Sequence, residues 1–180
     1  SAERIRSELE RLLLSPYPRR GLELLVHTGI CDIVLPEVSA LQDTVDEHRR
    51  HKDVYEHTLT VLQQAMDLET GPDGDVPGPD LRLGLAALMH DIGKPATRRF
   101  MPDGTVTFHA HDYVGARMTA KRMRALHFDK QTIKDVSRLV ELHLRFHGYA
   151  DSPWSDSAVR RYVTDAGPLL ARLGCLTRAD

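Results

Sequence analysis

Apolar residues recur every three or four positions along most of this chain, and this repeat is typical of amphipathic α-helices. A first helix is predicted to end before residues 15–18, because the two prolines there cannot continue it. A second apolar run ends at Gly29, a residue type that commonly follows a helix C-terminus, and a short apolar piece is expected to end near Pro36. Residues 1–45 are therefore predicted to form a small helical neck.

The rest of the chain is predicted to be a helical bundle. Four of its helices begin after polar residues of the kind that cap helix N-termini: Asp53, Asp80, Asp129 and Ser155. A further helix is predicted within residues 109–126, and Gly167-Pro168 starts the last one. In the helix after Asp53, apolar steps of three or four residues place His57 in line with core side chains.

Residues 98–108 carry the only clear strand pattern in the sequence. Two short runs flank Pro102-Asp103-Gly104, which is typical of a β-hairpin turn. The expected fold class is therefore all-α, a helical bundle with one short β-hairpin that follows the helical neck.

The composition limits the kinds of protein to consider. The 180 residues, 41% of them hydrophobic, are enough for one ordinary core. Cys31 and Cys175 match no zinc or redox spacing, which favours a reducing compartment and a site without sulfur ligands. The charged N-terminus and the absence of a long apolar run predict no membrane segment. We therefore expect a cytoplasmic protein.

The formal net charge of -2 hides an uneven distribution. Acidic residues dominate residues 42–80, whereas basic residues dominate residues 94–145. A basic region of this kind suits a phosphate-bearing partner, although solvated helix faces explain any single charge at least as well. The candidates for contacts with RNA or phosphate are Arg98, Arg99 and Arg145.

His90-Asp91 is the most informative dipeptide in the chain. It follows an apolar helical run and supplies one nitrogen and one oxygen ligand from adjacent positions, which is half of a metal site. Further donors are His57, His111, His143 and Asp180, most of which lie on otherwise apolar helical faces. Burying so many imidazoles and carboxylates without a shared partner costs several kcal/mol. The sequence therefore predicts a bound cation.

The order His57, His90-Asp91, Asp180 resembles the HD-domain superfamily of metal-dependent phosphohydrolases, whose members bind a divalent cation with those four side chains. The resemblance covers about residues 50 to 180 and implies an HD domain over residues 46–180. Two imidazoles and two carboxylates suit Mn, Fe, Co, Ni or Zn and, less well, Mg.

Two residues receive catalytic roles under this resemblance. Asp91 is expected to orient the attacking water, and Lys94 to neutralise a non-bridging phosphate oxygen. An exposed lysine after a helix end is an equally good account of Lys94, because the helix dipole favours a cation there.

His111 and His143 resemble the extra histidines with which some HD phosphodiesterases hold a second metal. Those relatives carry a His-His-Glu run and a later Gly-Tyr-Pro, whereas this chain has His143-Leu144-Arg145 and Gly148-Tyr149-Ala150. The sequence therefore favours a phosphate contact, or the general acid for the leaving alcohol, over a second metal. The alternative is that both histidines only pack between helices, with their hydrogen bonds satisfied.

A closer resemblance covers essentially the whole chain. The chain is similar to the C-terminal half of bacterial CCA-adding tRNA nucleotidyltransferases of the poly(A) polymerase family. The segments that carry this similarity are SAERIRSELERLL, LELLVHTGICDIVLPEV, HKDVYEHTLTVL and LRLGLAALMHDIGKPATRRF. The resemblance implies that residues 1–45 are an RNA-binding neck. The nucleotidyl-transfer head is missing, since no Gly-Ser pair occurs and Asp73-Gly74-Asp75 lies in a Gly/Pro loop.

Three hypotheses follow for the function. The first is an HD phosphohydrolase module that acts on phosphomonoesters or 2′,3′-cyclic phosphates at RNA or nucleotide ends. The second is a non-catalytic body that binds tRNA, in which the metal only ties helices together. The third is a free-standing nucleotide or cyclic-dinucleotide phosphodiesterase.

Overall fold

The neck consists of four short helices. The computed structural model describes residues 1–45, 53–71, 73–147 and 153–180. Within them the neck helices are α1 (Ala2–Leu13), α2 (Pro18–His27), α3 (Ile30–Val34) and α4 (Pro36–Ser39), with a 3-10 turn at Ala40–Asp43. Helix α3 ends at Val34, close to Pro36 as expected, and a further helix that was not expected begins at Pro36. Pro36 occupies the first turn of α4, where a missing N–H costs nothing because no helical carbonyl is available to it.

The remaining helices form the bundle. They are α5 (Val54–Asp67), α6 (Leu81–Met89), α7 (Lys94–Thr97), α8 (His111–Ala125), α9 (Lys130–Leu142), α10 (Asp156–Ala166) and α11 (Leu170–Ala179). The four predicted N-caps are confirmed. The side chains of Asp53, Asp80, Asp129 and Ser155 accept hydrogen bonds from backbone N–H groups three residues on, at 2.7, 2.8, 2.9 and 3.2 Å.

The predicted hairpin is also present. Strands β1 (Arg99–Phe100) and β2 (Val106–Thr107) pair antiparallel, with Arg99 opposite Thr107. Gly104 takes the left-handed conformation that its turn requires. Helices otherwise account for the regular structure of the described residues, so the all-α expectation is confirmed.

Helix α6 lies at the centre of the molecule. All seven residues from Leu83 to Met89 are buried, because α5, α9, α11 and the neck helix α1 pack around them. A helix that is apolar on every side is stable only in such a position. Its C-terminal end therefore delivers the next two residues, His90 and Asp91, into the interior.

The neck packs directly on the bundle. One continuous hydrophobic core runs from α1 to α11. At its edge the Arg122 guanidinium donates to both carboxylate oxygens of Glu37 at 3.0 to 3.1 Å, and Arg19 pairs with Glu56 at 2.8 Å. None of the helices described above is long and apolar enough to cross a membrane.

Candidate metal centre

His90 and Asp91 are buried at the end of α6. Their exposed fractions are 0% and 2%. The Nδ1 atom of His90 donates a hydrogen bond of 2.7 Å to the carbonyl oxygen of Ala87. This bond fixes the ring and leaves Nε2 pointing into the site.

The first group of donors surrounds the Nε2 atom of His90. Asp180, directly after α11, places Oδ1 3.5 Å from that atom and 2.9 Å from Nε2 of His57, which lies in the first turns of α5. Asp91 Oδ2 lies 3.3 Å from Nε2 of His90 and 3.7 Å from Nε2 of His57. The four residues expected from the sequence to share a cation thus lie together.

The second group lies on the other side of Asp91. Its Oδ1 atom is 3.2 Å from Nε2 of His111 and 3.9 Å from Nε2 of His143. The Nδ1 atoms of these two rings donate to carbonyl oxygens three residues earlier, at Phe108 (2.9 Å) and Val140 (2.5 Å). Each carboxylate oxygen of Asp91 therefore faces its own group of imidazoles.

Several atoms at this centre are buried without a hydrogen bond of normal geometry. They are Nε2 of His90, His111 and His143; Oδ2 of Asp91 is also buried, but it lies 3.0 Å from the ammonium group of Lys94. Because each ring donates through Nδ1, a neutral ring presents only a lone pair at Nε2. Lone pairs and carboxylate oxygens that converge in a buried space need a positive charge between them. The donor set therefore fits a divalent cation bound by nitrogen and oxygen.

The two carboxylates dominate the electrostatics of this centre. Burial lowers the pKa of His90, but the charges of Asp91 and Asp180 outweigh it and raise the pKa to about 10. Burial raises the pKa of Asp91 and Asp180, but His90 and the other imidazoles outweigh it and hold both carboxyls well below their usual pKa. Burial and the charge of His90 lower the pKa of His143 to about 4. The two carboxylates thus stabilise a positive charge at His90.

Lys94 is not an exposed surface lysine. It is 8% exposed, with its Nζ atom 3.0 Å from Oδ2 of Asp91 and 5.5 Å from the ring centroid of Phe108. Its ammonium group therefore borders the cluster of carboxylates and imidazoles. This placement favours the functional role over the helix-end alternative.

A close backbone contact positions His111. A Cβ atom on Gly93 would lie 2.2 Å from the carbonyl oxygen of His111 and 2.7 Å from the backbone nitrogen of Gly115. Since neither atom can move without shifting α8, only glycine fits at position 93. The turn after His90-Asp91 and the start of α8 are thereby held together.

His147 was not among the residues expected at the site. Its Nε2 atom lies 3.2 Å from Oδ2 of Asp180, and this hydrogen bond raises the pKa of His147. Helix α9 ends at Leu142, so a helical repeat does not relate His147 to His143, and the sequence offered no signal for its position. His109 is exposed, whereas His111, two residues on, is buried.

The arginines proposed to contact RNA or phosphate lie outside the cluster. Arg98 and Arg99 are exposed at the start of the hairpin. Arg145 pairs with Asp165, so a carboxylate already engages its guanidinium group. The Gly148-Tyr149-Ala150 segment lies outside the described residues.

Two protein families match this chain. The HD domain matches residues 54–180, and the family described as the probable RNA and SrmB- binding site of polymerase A matches residues 1–41. These matches confirm both resemblances expected from the sequence.

Two of the curated relatives are named tRNA nucleotidyltransferases, and others are named multifunctional CCA proteins. An A-adding tRNA nucleotidyltransferase of Deinococcus radiodurans is 36% identical over 179 residues, which are 99% of this chain and 38% of the relative. A CC-adding tRNA nucleotidyltransferase of Thermus thermophilus has the same identity and coverage. A multifunctional CCA protein of Neisseria gonorrhoeae is 31% identical over 148 residues, 81% of this chain and 33% of that protein. The chain thus spans less than two fifths of the length of these relatives.

Proposed function

Since the chain belongs to the HD-domain family, we propose that it is a metal-dependent phosphohydrolase module that acts on phosphomonoesters or 2′,3′-cyclic phosphodiesters at RNA or nucleotide ends. The carrying observation is the convergence of buried, unpaired imidazole nitrogens on the carboxylate of Asp91. A purely structural core leaves few such atoms, because each one costs free energy.

The first group is the proposed binding site for the catalytic cation. It offers Nε2 of His57 and His90, Oδ1 of Asp180 and Oδ2 of Asp91. A divalent cation supplies Lewis-acid activation of water and shields the charge of a phosphoryl group. The hydrogen bond from His90 to Ala87 holds the ring ready for this role, so little reorganisation is needed.

Asp91 and Lys94 supply the chemistry proposed for the chain itself. Asp91 orients the attacking water through its carboxylate, whose low pKa keeps it ionised and able to accept a hydrogen bond. Lys94 holds its ammonium group 3.0 Å from that carboxylate, within reach of a phosphate oxygen placed beside Asp91. A fixed positive charge there stabilises the negative charge that grows during hydrolysis.

The second group supports a second cation better than the phosphate contact favoured by the sequence. The low pKa of His143 leaves its ring neutral, so Nε2 offers a lone pair and no proton to a phosphate oxygen. His111, Asp91 and His143 thus present three donors within 4.8 Å of one another. Asp91 would then serve both cations, with one oxygen for each.

A role in binding tRNA is the second candidate function. The neck matches an RNA-binding family, and the relatives are named for adding nucleotides to tRNA. Arg98 and Arg99 leave two guanidinium groups exposed at the start of the hairpin. We propose that the chain binds RNA through this basic surface and the neck, whether or not it hydrolyses phosphoesters.

Hydrolysis provides the decisive test. Bound metal is removed from the chain with a chelator. Hydrolysis of 2′,3′-cyclic AMP is then measured before and after Mn²⁺ is added. We expect activity only with the cation, and a loss of at least about a hundredfold in Asp91→Asn. Asp67→Asn, a change at an exposed aspartate, should behave as the wild type. Cation-independent activity, or full activity in a folded Asp91→Asn variant, would refute the proposal.

Measurement of tRNA binding distinguishes the second candidate function from the first. If RNA binding is the main role, affinity should fall steeply with salt and remain intact in Asp91→Asn. Hydrolysis of free nucleotides without any affinity for tRNA would instead favour a free-standing phosphodiesterase.

A further inference from the structure

A groove runs along α11 beside the candidate metal centre. Its volume is about 400 Å³, and it is lined by Phe146, Tyr162, Leu170, Gly174, Thr177 and Arg178. Leu170, Gly174 and Arg178 follow one another at steps of four residues, so they form one stripe along the helix. The absence of a side chain at Gly174 opens the middle of the groove.

An aromatic cluster forms the wall of the groove. The ring of Trp154 lies between those of Phe146 and Tyr162, with centroids 5.4 Å away in both cases. Phe146 is 47% exposed, and Val159, Val163 and Leu170 nearby in the chain are also exposed. Apolar side chains that are exposed together mark an interaction surface more often than exposed apolar residues that are scattered singly.

Two residues that line the groove lie close in the chain to residues of the metal centre. Phe146 immediately precedes His147, whose Nε2 atom contacts Asp180 at 3.2 Å. Arg178 lies in the last turn of α11, two residues before Asp180. The distance from Leu170 to Asp180 along the helix axis is about 15 Å. A molecule that occupies both places therefore carries a phosphate at one end and fits the groove with the other.

The polar groups of the groove match a nucleotide. Arg178 is exposed and makes no ion pair with an acid in the described part of the chain. Thr177 adds a buried hydroxyl beside Tyr162. Aromatic rings stack on the faces of nucleobases, and arginine binds phosphate or stacks beside a base. An aliphatic partner would use neither the arginine nor the hydroxyl.

We propose that this groove binds the nucleobase of the substrate, with the base stacked on the exposed face of Phe146 and Arg178 beside the phosphate or ribose. The inference rests on the proposed function, since it places the scissile phosphate at the candidate metal centre. It makes nucleotides with a phosphate on the ribose, rather than simple phosphate esters, the preferred substrate class.

Trp154 allows the binding step to be measured by itself. It is the only tryptophan of the chain, so its fluorescence reports on the aromatic cluster alone. Adenosine 2′-monophosphate, titrated into the chelator-treated chain, should change this fluorescence saturably, whereas base-free ribose 5-phosphate should not. This readout needs no hydrolysis, and it therefore tests the groove even if the proposed enzymatic function fails. Equal responses to both ligands, or none to the nucleotide, would overturn the inference.

Substitution of the stacking ring gives the second test. Phe146→Ala should lower the kcat/KM ratio of adenosine 2′-monophosphate to ribose 5-phosphate about tenfold, the scale of one base–aromatic contact. Tyr113→Ala, a change at a 54% exposed aromatic residue of α8, should leave that ratio unchanged. Thermal unfolding verifies that both variants are folded. An unaltered ratio in folded Phe146→Ala would overturn the groove assignment. If the wild-type chain hydrolyses neither ester, that result counts against the proposed function alone.

Discussion

The Nε2 atom of His57 lies 2.9 Å from Oδ1 of Asp180, although 123 positions separate the two residues in the chain. The contact exists because α5 and α11 both pack against the buried helix α6. Asp180 thereby also comes within 3.5 Å of Nε2 of His90. The first group of donors is thus assembled by the helical core and not by a local loop.

The first prediction follows from this long-range contact. Asp180→Ala removes one of the two carboxylates of the first group and should weaken Mn²⁺ binding at least about tenfold, since even outer-shell changes cost that much in metal sites. Isothermal titration calorimetry measures the effect. Asp67→Asn, at an exposed position of α5, is the control and should bind like the wild type. Unchanged affinity in Asp180→Ala would place the cation elsewhere.

Much of this fold could be predicted from the sequence, because its helices begin at capping residues and carry regular apolar stripes. Placement of His57 and His90 on those faces also pointed to the site. Asp180 was one of several possible donors, and only the family resemblance assigned it to the same cation as His57 and His90, since a single aspartate has no periodicity of its own. His147 was missed because its partner lies on a distant helix. The same reason hides the aromatic groove, whose rings come from separate segments.

The second prediction concerns the number of cations. Because Asp91 directs one oxygen to each group of imidazoles, we expect two Mn²⁺ ions per chain at saturation. His143→Ala removes a donor of the second group alone and should reduce the number to one. Equilibrium dialysis followed by elemental analysis gives the count. A single ion in the wild type, retained in the variant, would return His111 and His143 to the role of phosphate contacts.

The third prediction concerns proton release. The pKa of His90 is raised to about 10, so at pH 7 this ring is protonated without a cation and must lose its proton to bind one. The apparent affinity should therefore increase about tenfold per pH unit from pH 7 to 9. Calorimetry in two buffers of different ionisation enthalpy should show about one proton released. His143, with a pKa of about 4, is already neutral and contributes none. An enthalpy independent of buffer would contradict this account.

The fourth prediction tests the close contact of Gly93 with α8. Gly93→Ala places a methyl group 2.2 Å from the carbonyl oxygen of His111, and it should lower the free energy of unfolding by about 1–3 kcal/mol. Gly174→Ala should have the opposite effect, because Gly174 lies inside helix α11 and a Cβ atom there has no neighbour within 4 Å. It should raise the free energy of unfolding by about 0.5–1 kcal/mol. Urea denaturation followed by circular dichroism compares them, and equal stability of both variants would argue against the contact.

The last prediction separates a catalytic role of Lys94 from a structural one. Lys94→Met keeps an apolar stem against Phe108 but removes the ammonium group that lies 3.0 Å from Asp91 Oδ2. Without this competing charge, Asp91 becomes a stronger ligand, and the affinity for Mn²⁺ should rise. The kcat for 2′,3′-cyclic AMP should nevertheless fall about a hundredfold, because the developing phosphate charge loses its fixed partner. Calorimetry and steady-state kinetics on the same preparation measure the two effects. A merely structural lysine would weaken both properties together, so a parallel decrease would refute the catalytic role.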